Sequence, residues 1–321
     1  MGLLDGIRRR GIRRLGVGFG HGRRDTGRVP APFVVGIARS GTTLLRLMLD
    51  AHPQLTIPPE THFLPRLFTH FDRWVEQGIE GAELRERAME LIVSHPRWGD
   101  IDLDPREVER RMADHDPLTA GDAARSFYEA YAAQEGKPRW GDKSPPYAWK
   151  ARRIQRALPE AHFIHLIRDG RDVALSLSEV SWGPGGLQAA AAKWVEELGN
   201  ARRRAQRLRP GTYIEVRYED LVAEPEPHLR RIADFVGLPW DDGMLEYHRG
   251  AEARMKTVMR DFHPMGGGTI TAEERKRQHE LVSSPPSPSR VGRWRTEMSA
   301  EDRQAFESVA GDLLTDLGYE L

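Results

Sequence analysis

Along the chain, short hydrophobic runs alternate with turns and longer amphipathic stretches. Phe33-Val34-Val35-Gly36-Ile37 is the first such run; a glycine-containing turn follows it, and Thr43–Asp50 (TLLRLMLD) predicts a helix. His162–Ile167 (HFIHLI) repeats the pattern and ends in Arg168-Asp169-Gly170 before the helical stretch DVALSLSEV. Tyr213–Val216 is a third strand, followed by the amphipathic EPHLRRIADFVGL. Strands separated by longer helical stretches predict an α/β fold whose parallel sheet is covered on both faces. Residues 61–136 are mostly helical, broken by Pro and Gly and without a strand signal; they read as an insertion after the first strand–helix unit that caps the sheet. Residues 264–290 join Gly-rich, charged-helical and Pro/Ser-rich pieces, a composition that suits a lid better than a core element. Residues 29–321 read as one domain behind a basic, Gly/Arg-rich tail, 1–28.

Composition narrows the classes. With 321 residues, 39% of them hydrophobic, the chain has core material for a large domain. The 48 basic residues balance 48 acidic ones, which excludes a wholly disordered chain and a strongly basic nucleic-acid binder. No stretch approaches the ~20 apolar residues of a membrane span. The absence of Cys excludes a disulfide scaffold, thiolate metal sites and a cysteine nucleophile, and fits a reducing compartment, so a cytoplasmic location is expected. Only six of the cations are Lys, so a lone Lys carries more information than an Arg cluster. The tail holds eight Arg and lacks the apolar run of a signal peptide. It reads as a solvated arm, with peripheral contact to an anionic membrane as the alternative.

Chemistry concentrates at Gly36-Ile37-Ala38-Arg39-Ser40-Gly41-Thr42-Thr43, a G-x-x-x-x-G-x-[ST] frame between a strand and a helix. Backbone N–H groups of such a turn converge on an anion, and the helix dipole favours it. An ordinary glycine-containing turn is the other reading. The Lys that reaches the outer phosphates of a nucleoside triphosphate is replaced by Thr42, which argues against an ATPase or kinase. No His pattern suggests a metal site.

The segment Arg39-Ser40-Gly41-Thr42-Thr43-Leu44-Leu45 resembles the 5′-phosphosulfate loop of sulfotransferases that use 3′-phosphoadenosine 5′-phosphosulfate. Its continuation, Arg46 to Pro53, then Glu60-Thr61 and Pro65-Arg66, is similar to the tyrosylprotein sulfotransferase branch. Arg168-Asp169-Gly170-Arg171-Asp172 with Ser176, Tyr218-Glu219-Asp220-Leu221 with Pro225, Gly141-Asp142-Lys143-Ser144-Pro145 and Val291-Gly292-Arg293-Trp294 resemble further family segments in the family's order. The resemblance implies a P-loop-like central parallel sheet flanked by helices, and a phosphosulfate co-substrate with no metal required.

It also implies roles. Sulfuryl transfer needs positioning and charge stabilisation more than covalent help. Arg39 and Lys143 match the cations that meet the 5′-phosphate and sulfonate, although Lys143, read as lying in a turn, could equally be a surface salt-bridge residue. Glu60 matches a carboxylate general base that partial burial would raise in pKa; His62 competes for that role, and an acidic residue at a helix start is the plain alternative. Ser40, Gly41, Thr42 and Thr43 complete the loop. Arg168 and Ser176 match the 3′-phosphate site, Tyr218 flanks the nucleotide or packs at a strand end, and Arg293 closes over the phosphates. Arg171 and Asp172 form a local pair as readily as a site. For the acceptor, a peptide tyrosine, a sugar, a lipid-linked glycan and a small phenol all stay open. A P-loop small-molecule kinase and a non-catalytic nucleotide-binding protein are the alternatives.

Overall fold

The structure, a computed structural model, describes residues 27–265 and 267–321. Most of the basic tail, and with it the question of membrane contact, lies outside the described residues. Four parallel strands form the central sheet in the order β4-β1-β5-β6: β1 (Ala31–Gly36), β4 (Asp142–Lys143), β5 (Ala161–Ile167) and β6 (Tyr213–Arg217). A second pair, β2 (Leu55–Thr56) with β3 (Arg139–Trp140), runs parallel beside it.

Strand alternation sends successive side chains to opposite faces. Phe33 and Phe163 enter one hydrophobic core, whereas their neighbours Val34 and Ile164 enter another. The first core is shared with the helices of 61–136: α2 (Leu64–Glu76), α3 (Gly81–Val93), α4 (Pro105–Ala113) and α5 (Ala120–Gln134). Phe127 and Tyr128 of α5 meet edge-to-face at 5.0 Å, and Tyr128 meets Phe33 at 6.3 Å. These cap helices are thus fixed to the sheet by a common aromatic core. The second core buries the helix after the loop, α1 (Thr42–Asp50), through Leu45 and Met48. A third, with Ile167, Trp194, Phe306 and Leu314, lies where the strands end.

Two readings change. Asp142-Lys143, expected in a turn, is an edge strand in register with β1, Val34 opposite Lys143. Two residues are too few for an alternation signal, and Asp and Lys are poor strand formers; what holds Asp142 there is tertiary. Its Oδ2 accepts from Thr61 Oγ1 and from Tyr128 OH, both at 2.8 Å. The first strand also ends at Gly36, so Ile37 belongs to the turn.

Candidate active site

The strand ends open on one cavity of about 990 Å³. Its floor is the loop after β1. Gly36 admits no side chain, because a Cβ would stand 2.7 Å from the Leu166 carbonyl oxygen. Gly41 is at φ 89 and faces the Tyr218 ring, 2.5 Å from where a Cβ would lie. Arg39, at φ 72, takes a left-handed conformation that non-glycine residues seldom adopt. These dihedrals turn the chain sharply into α1, whose first intrahelical bond is Leu45 N–H to the Gly41 carbonyl. The N–H groups of Thr42, Thr43 and Leu44 precede that bond and are left for an anion.

Three guanidinium groups gather beside the loop. Arg39 Nε donates to Ser176 Oγ at 3.0 Å, and its Nη2 reaches the Gln278 carbonyl at 3.4 Å. Burial lowers the Arg39 pKa, and the nearby Arg168 and Arg290 charges push the same way against Glu179. Arg168 donates to the Arg39 and Arg290 carbonyls at 3.0 and 2.5 Å and lies 4.8 Å over the Tyr218 ring. Its Nε is buried without a partner. Ser176 stands on α6 (Gly170–Ser178), one helical turn from Asp172, whose oxygens accept from the Gly292 and Trp294 N–H groups.

Across the cavity stands Glu60. Asp50, closing α1, accepts from Thr56 Oγ1 at 2.9 Å and Ile57 N–H at 2.8 Å, and Arg46 Nε donates to the Ile57 carbonyl at 2.8 Å. These bonds set the approach of Pro58-Pro59-Glu60. Lys143 Nζ donates to Glu60 Oε1 at 2.7 Å and to Thr43 Oγ1 of the loop at 3.3 Å. Arg97 Nη2 lies 3.2 Å from Glu60 Oε2. His62 Nε2 lies 3.0 Å from the same oxygen.

The electrostatics differ from the expected rise. Burial alone would raise the Glu60 pKa, but the Lys143 and Arg97 charges hold it well below the ordinary carboxylate range. Burial lowers Lys143 more than Glu60 raises it, yet at 2.7 Å the pair is ionic. Behind it, burial raises Asp142 to about 6.

Arg39, Gly41, Thr42, Thr43, Glu60, His62, Lys143, Arg168, Ser176 and Tyr218 all line the cavity. Ser40 is buried beneath the loop, its N–H on the Ile37 carbonyl. Arg293 does not line the cavity: it is held by Glu179 at 2.5 Å and Glu297 at 2.6 Å, whereas Arg290, 3.3 Å from the same Glu179, does line it. Arg171 is fully paired with Asp169 and Glu307, and Trp294 is buried beneath it, 3.5 Å from the guanidinium. Sequence reasoning missed Arg97, Asp100, Arg275 and His279, all of which line the cavity. Burial, Lys143 and Arg39 hold His279 neutral, down to about 3. None stands in a local motif, and among 42 Arg an isolated one carries no signal.

Comparison with known proteins agrees with this geometry. Residues 30–242 match the profile of the sulfotransferase family. Protein-tyrosine sulfotransferase A of Caenorhabditis elegans is 25% identical over 296 residues, 91% of this chain and 67% of that protein. Nodulation protein NoeE of Sinorhizobium fredii is 29% identical over 311 residues, 90% of this chain and 65% of that protein. Among solved structures, the sulfotransferase domain of the Synechococcus olefin synthase superposes with a TM-score of 0.57 at 25% identity, over 91% of this chain and 95% of that one. The expected cytoplasmic location does not stand, because the protein-tyrosine sulfotransferases matched here are Golgi membrane enzymes. A chain without cysteine is compatible with any redox compartment, so composition never fixed the address; no helix among the described residues is long and apolar enough to cross a membrane. The chain belongs to the sulfotransferase family and is an enzyme that transfers a sulfuryl group to a hydroxyl acceptor.

Proposed function

We propose that the donor is 3′-phosphoadenosine 5′-phosphosulfate and that Glu60 is the general base toward a hydroxyl or phenol acceptor. The observation that carries this reading is Lys143 Nζ, bonded at once to Thr43 of the loop and to Glu60. One cation thereby joins the anion cradle to the one carboxylate it pairs with among the described residues. The residues suit the donor: Arg39, Arg168 and Arg290 crowd like charges around one space, and Arg168 Nε is buried and unpaired. In this assignment the loop N–H groups from Gly41 to Leu44, with Ser40 supporting the turn beneath, hold the 5′-phosphosulfate. Arg168 and Ser176 hold the 3′-phosphate, Tyr218 flanks the nucleotide, and Arg290 takes the phosphate contact expected of Arg293.

The acceptor oxygen forms its bond to sulfur as the bond from sulfur to the bridging phosphate oxygen breaks. Lys143 and Arg39 meet the charge growing on that bridging oxygen, and Glu60 takes the acceptor proton. Donor binding competes for Lys143, which weakens its hold on Glu60 and raises the basicity of a carboxylate that is otherwise too acidic. The names of the protein-tyrosine sulfotransferase relatives favour a phenolic acceptor. Residues 264–290 serve as the lid.

Thermal unfolding tests the donor. The 3′,5′-bisphosphate should raise the melting temperature well above the effect of ATP or 5′-AMP, because a ligand bound only to the native state stabilises by mass action. Equal stabilisation by ATP would favour the kinase reading, as would Mg²⁺-dependent turnover that EDTA abolishes.

A further inference from the structure

Arg97, Asp100 and Arg275 come from distant parts of the chain and meet at the edge of the cavity. Asp100 ends the 3₁₀ turn Pro96–Asp100, between α3 and α4 of the helical cap. Both of its oxygens accept from Arg275, at 2.8 Å each, and both groups are about 95% buried. Arg275 lies on a short helix, Ala272–Gln278, within the segment read as a lid. The same Asp100 accepts from Arg97 Nη1 at 3.1 Å, while the other arm of that guanidinium, Nη2, faces Glu60 Oε2. Phe262 packs against both arginines, its ring centre 4.0 Å from the Arg97 guanidinium carbon and 5.4 Å from that of Arg275. The Phe262–Ile270 bridge ties this ring to the start of the lid segment.

Arg97 is therefore shared between two carboxylates, and its division between them depends on Arg275. With Arg275 in place, Asp100 is neutralised by a bidentate partner and leaves one arm of Arg97 for Glu60. Without it, a buried carboxylate is left uncompensated and draws Arg97 away. We propose that Arg97, Asp100 and Arg275 are positioning residues that hold the Glu60 carboxylate, so that seating the 262–278 segment on the helical cap is what orients the base. This rests on the reading of Glu60 as the base. The groups facing Glu60 are Lys143 from β4, Arg97 from the cap, His62 from its own loop and the neutral His279 from the lid. Of these, among the described residues, only Arg97 is bonded to a residue that the lid also grips.

The test compares Arg275→Met, Arg275→Lys and Asp100→Asn in the full chain. In each, turnover, calorimetric binding of the 3′,5′-bisphosphate and the acid limb of the turnover–pH profile are measured, with Glu60→Gln as reference. Arg275→Met should lower kcat by roughly 10²-fold, the scale of a small misplacement at a reacting centre, with bisphosphate affinity within about twofold of wild type. Its acid limb should move up by about one unit or more as Arg97 leaves Glu60. Asp100→Asn frees Arg97 for Glu60 and should leave the limb unmoved or lower. Arg275→Lys should recover part of the lost turnover. A simple loss of packing would shift both variants alike, so a limb that rises in Arg275→Met and does not rise in Asp100→Asn is the signature of the relay. If Arg275→Met is unstable, Arg275→Gln, which also removes the charge, carries the same test against Asp100→Asn. Wild-type turnover and profile in the Arg275 variants, in an enzyme that Glu60→Gln inactivates, overturns the relay. Turnover surviving in Glu60→Gln instead overturns the assignment of the base, and removes the relay's target with it.

Discussion

The loop side and the cap side of the cavity are built by different physics. On the loop side, backbone conformation does the shaping: Gly36 and Gly41 let main chain and ring approach where no Cβ fits, and α1 begins with its N–H groups free. On the cap side, side-chain ion pairs do it, between segments distant in the chain, 175 residues apart for Asp100 with Arg275. Main-chain geometry is preset by local sequence and tolerates little change. Ion pairs assemble only when the tertiary fold brings them together, and can be rebalanced one partner at a time. The loop side is thus suited to a donor of fixed chemistry, and the cap side to a base whose strength has to change.

Substitutions can break this contrast. The largest effect is expected from Glu60→Gln on the cap side: turnover falls by about 10²–10⁴-fold, the usual contribution of a general base, while calorimetric affinity for the bisphosphate barely changes. Lys143→Ala, which touches both sides, should lower turnover and affinity together; unchanged affinity would detach Lys143 from the loop. Asp142→Asn probes the support behind the pair. Burial raises Asp142 from 3.8 to about 6, so its protonated form favours the fold. That stabilisation is complete below the unfolded value near 4 and is lost as pH rises through about 6, by about 3 kcal/mol at 1.36 kcal/mol per unit. Denaturant unfolding at pH 4 and pH 7 should show this dependence in the wild type and lose it in the variant.

On the loop side, Arg168→Ala should weaken ligands carrying a 3′-phosphate by roughly 1.5–3 kcal/mol, one charged hydrogen-bonding partner, and leave 5′-AMP binding nearly unchanged. A uniform loss across both ligands would make Arg168 a scaffold for the loop, through its bond to the Arg39 carbonyl. The smallest effect is expected from His62→Ala, which should keep most of the activity because Lys143 and Arg97 still hold Glu60. If His62→Ala stops turnover and Glu60→Gln does not, His62 is the base and Glu60 is not.

How legible each side was in the sequence follows from the same division. The three strands and their helices are local hydrophobic patterns, and the loop is eight contiguous residues, so both could be read directly. Even Glu60, Lys143, Arg168 and Ser176 came into view through short segments around them. Asp142-Lys143 was misread as a turn because its strand exists only through a neighbour, β1, and buried bonds from Thr61 and Tyr128. Arg97, Asp100 and Arg275 left no trace, since nothing near Arg97 in sequence announces the carboxylate it meets. Arg293 pairs with Glu179 and Glu297, and Arg290, which reaches the same Glu179 at 3.3 Å, lines the cavity; neither pairing was legible in the sequence.

The contact between Gly41 and Tyr218 has a consequence for how this loop can change over time. Two separate obstacles bar a side chain at position 41: the ring, 2.5 Å from where a Cβ would lie, and the dihedral of φ 89. Replacing Tyr218 with a small residue removes the first and leaves the second, worth roughly 1–2 kcal/mol for an L-residue. The freedom is therefore one-sided. A descendant chain could trade the ring away while keeping the glycine, but trading the glycine first would meet both barriers at once, so any drift at this joint has to begin at Tyr218.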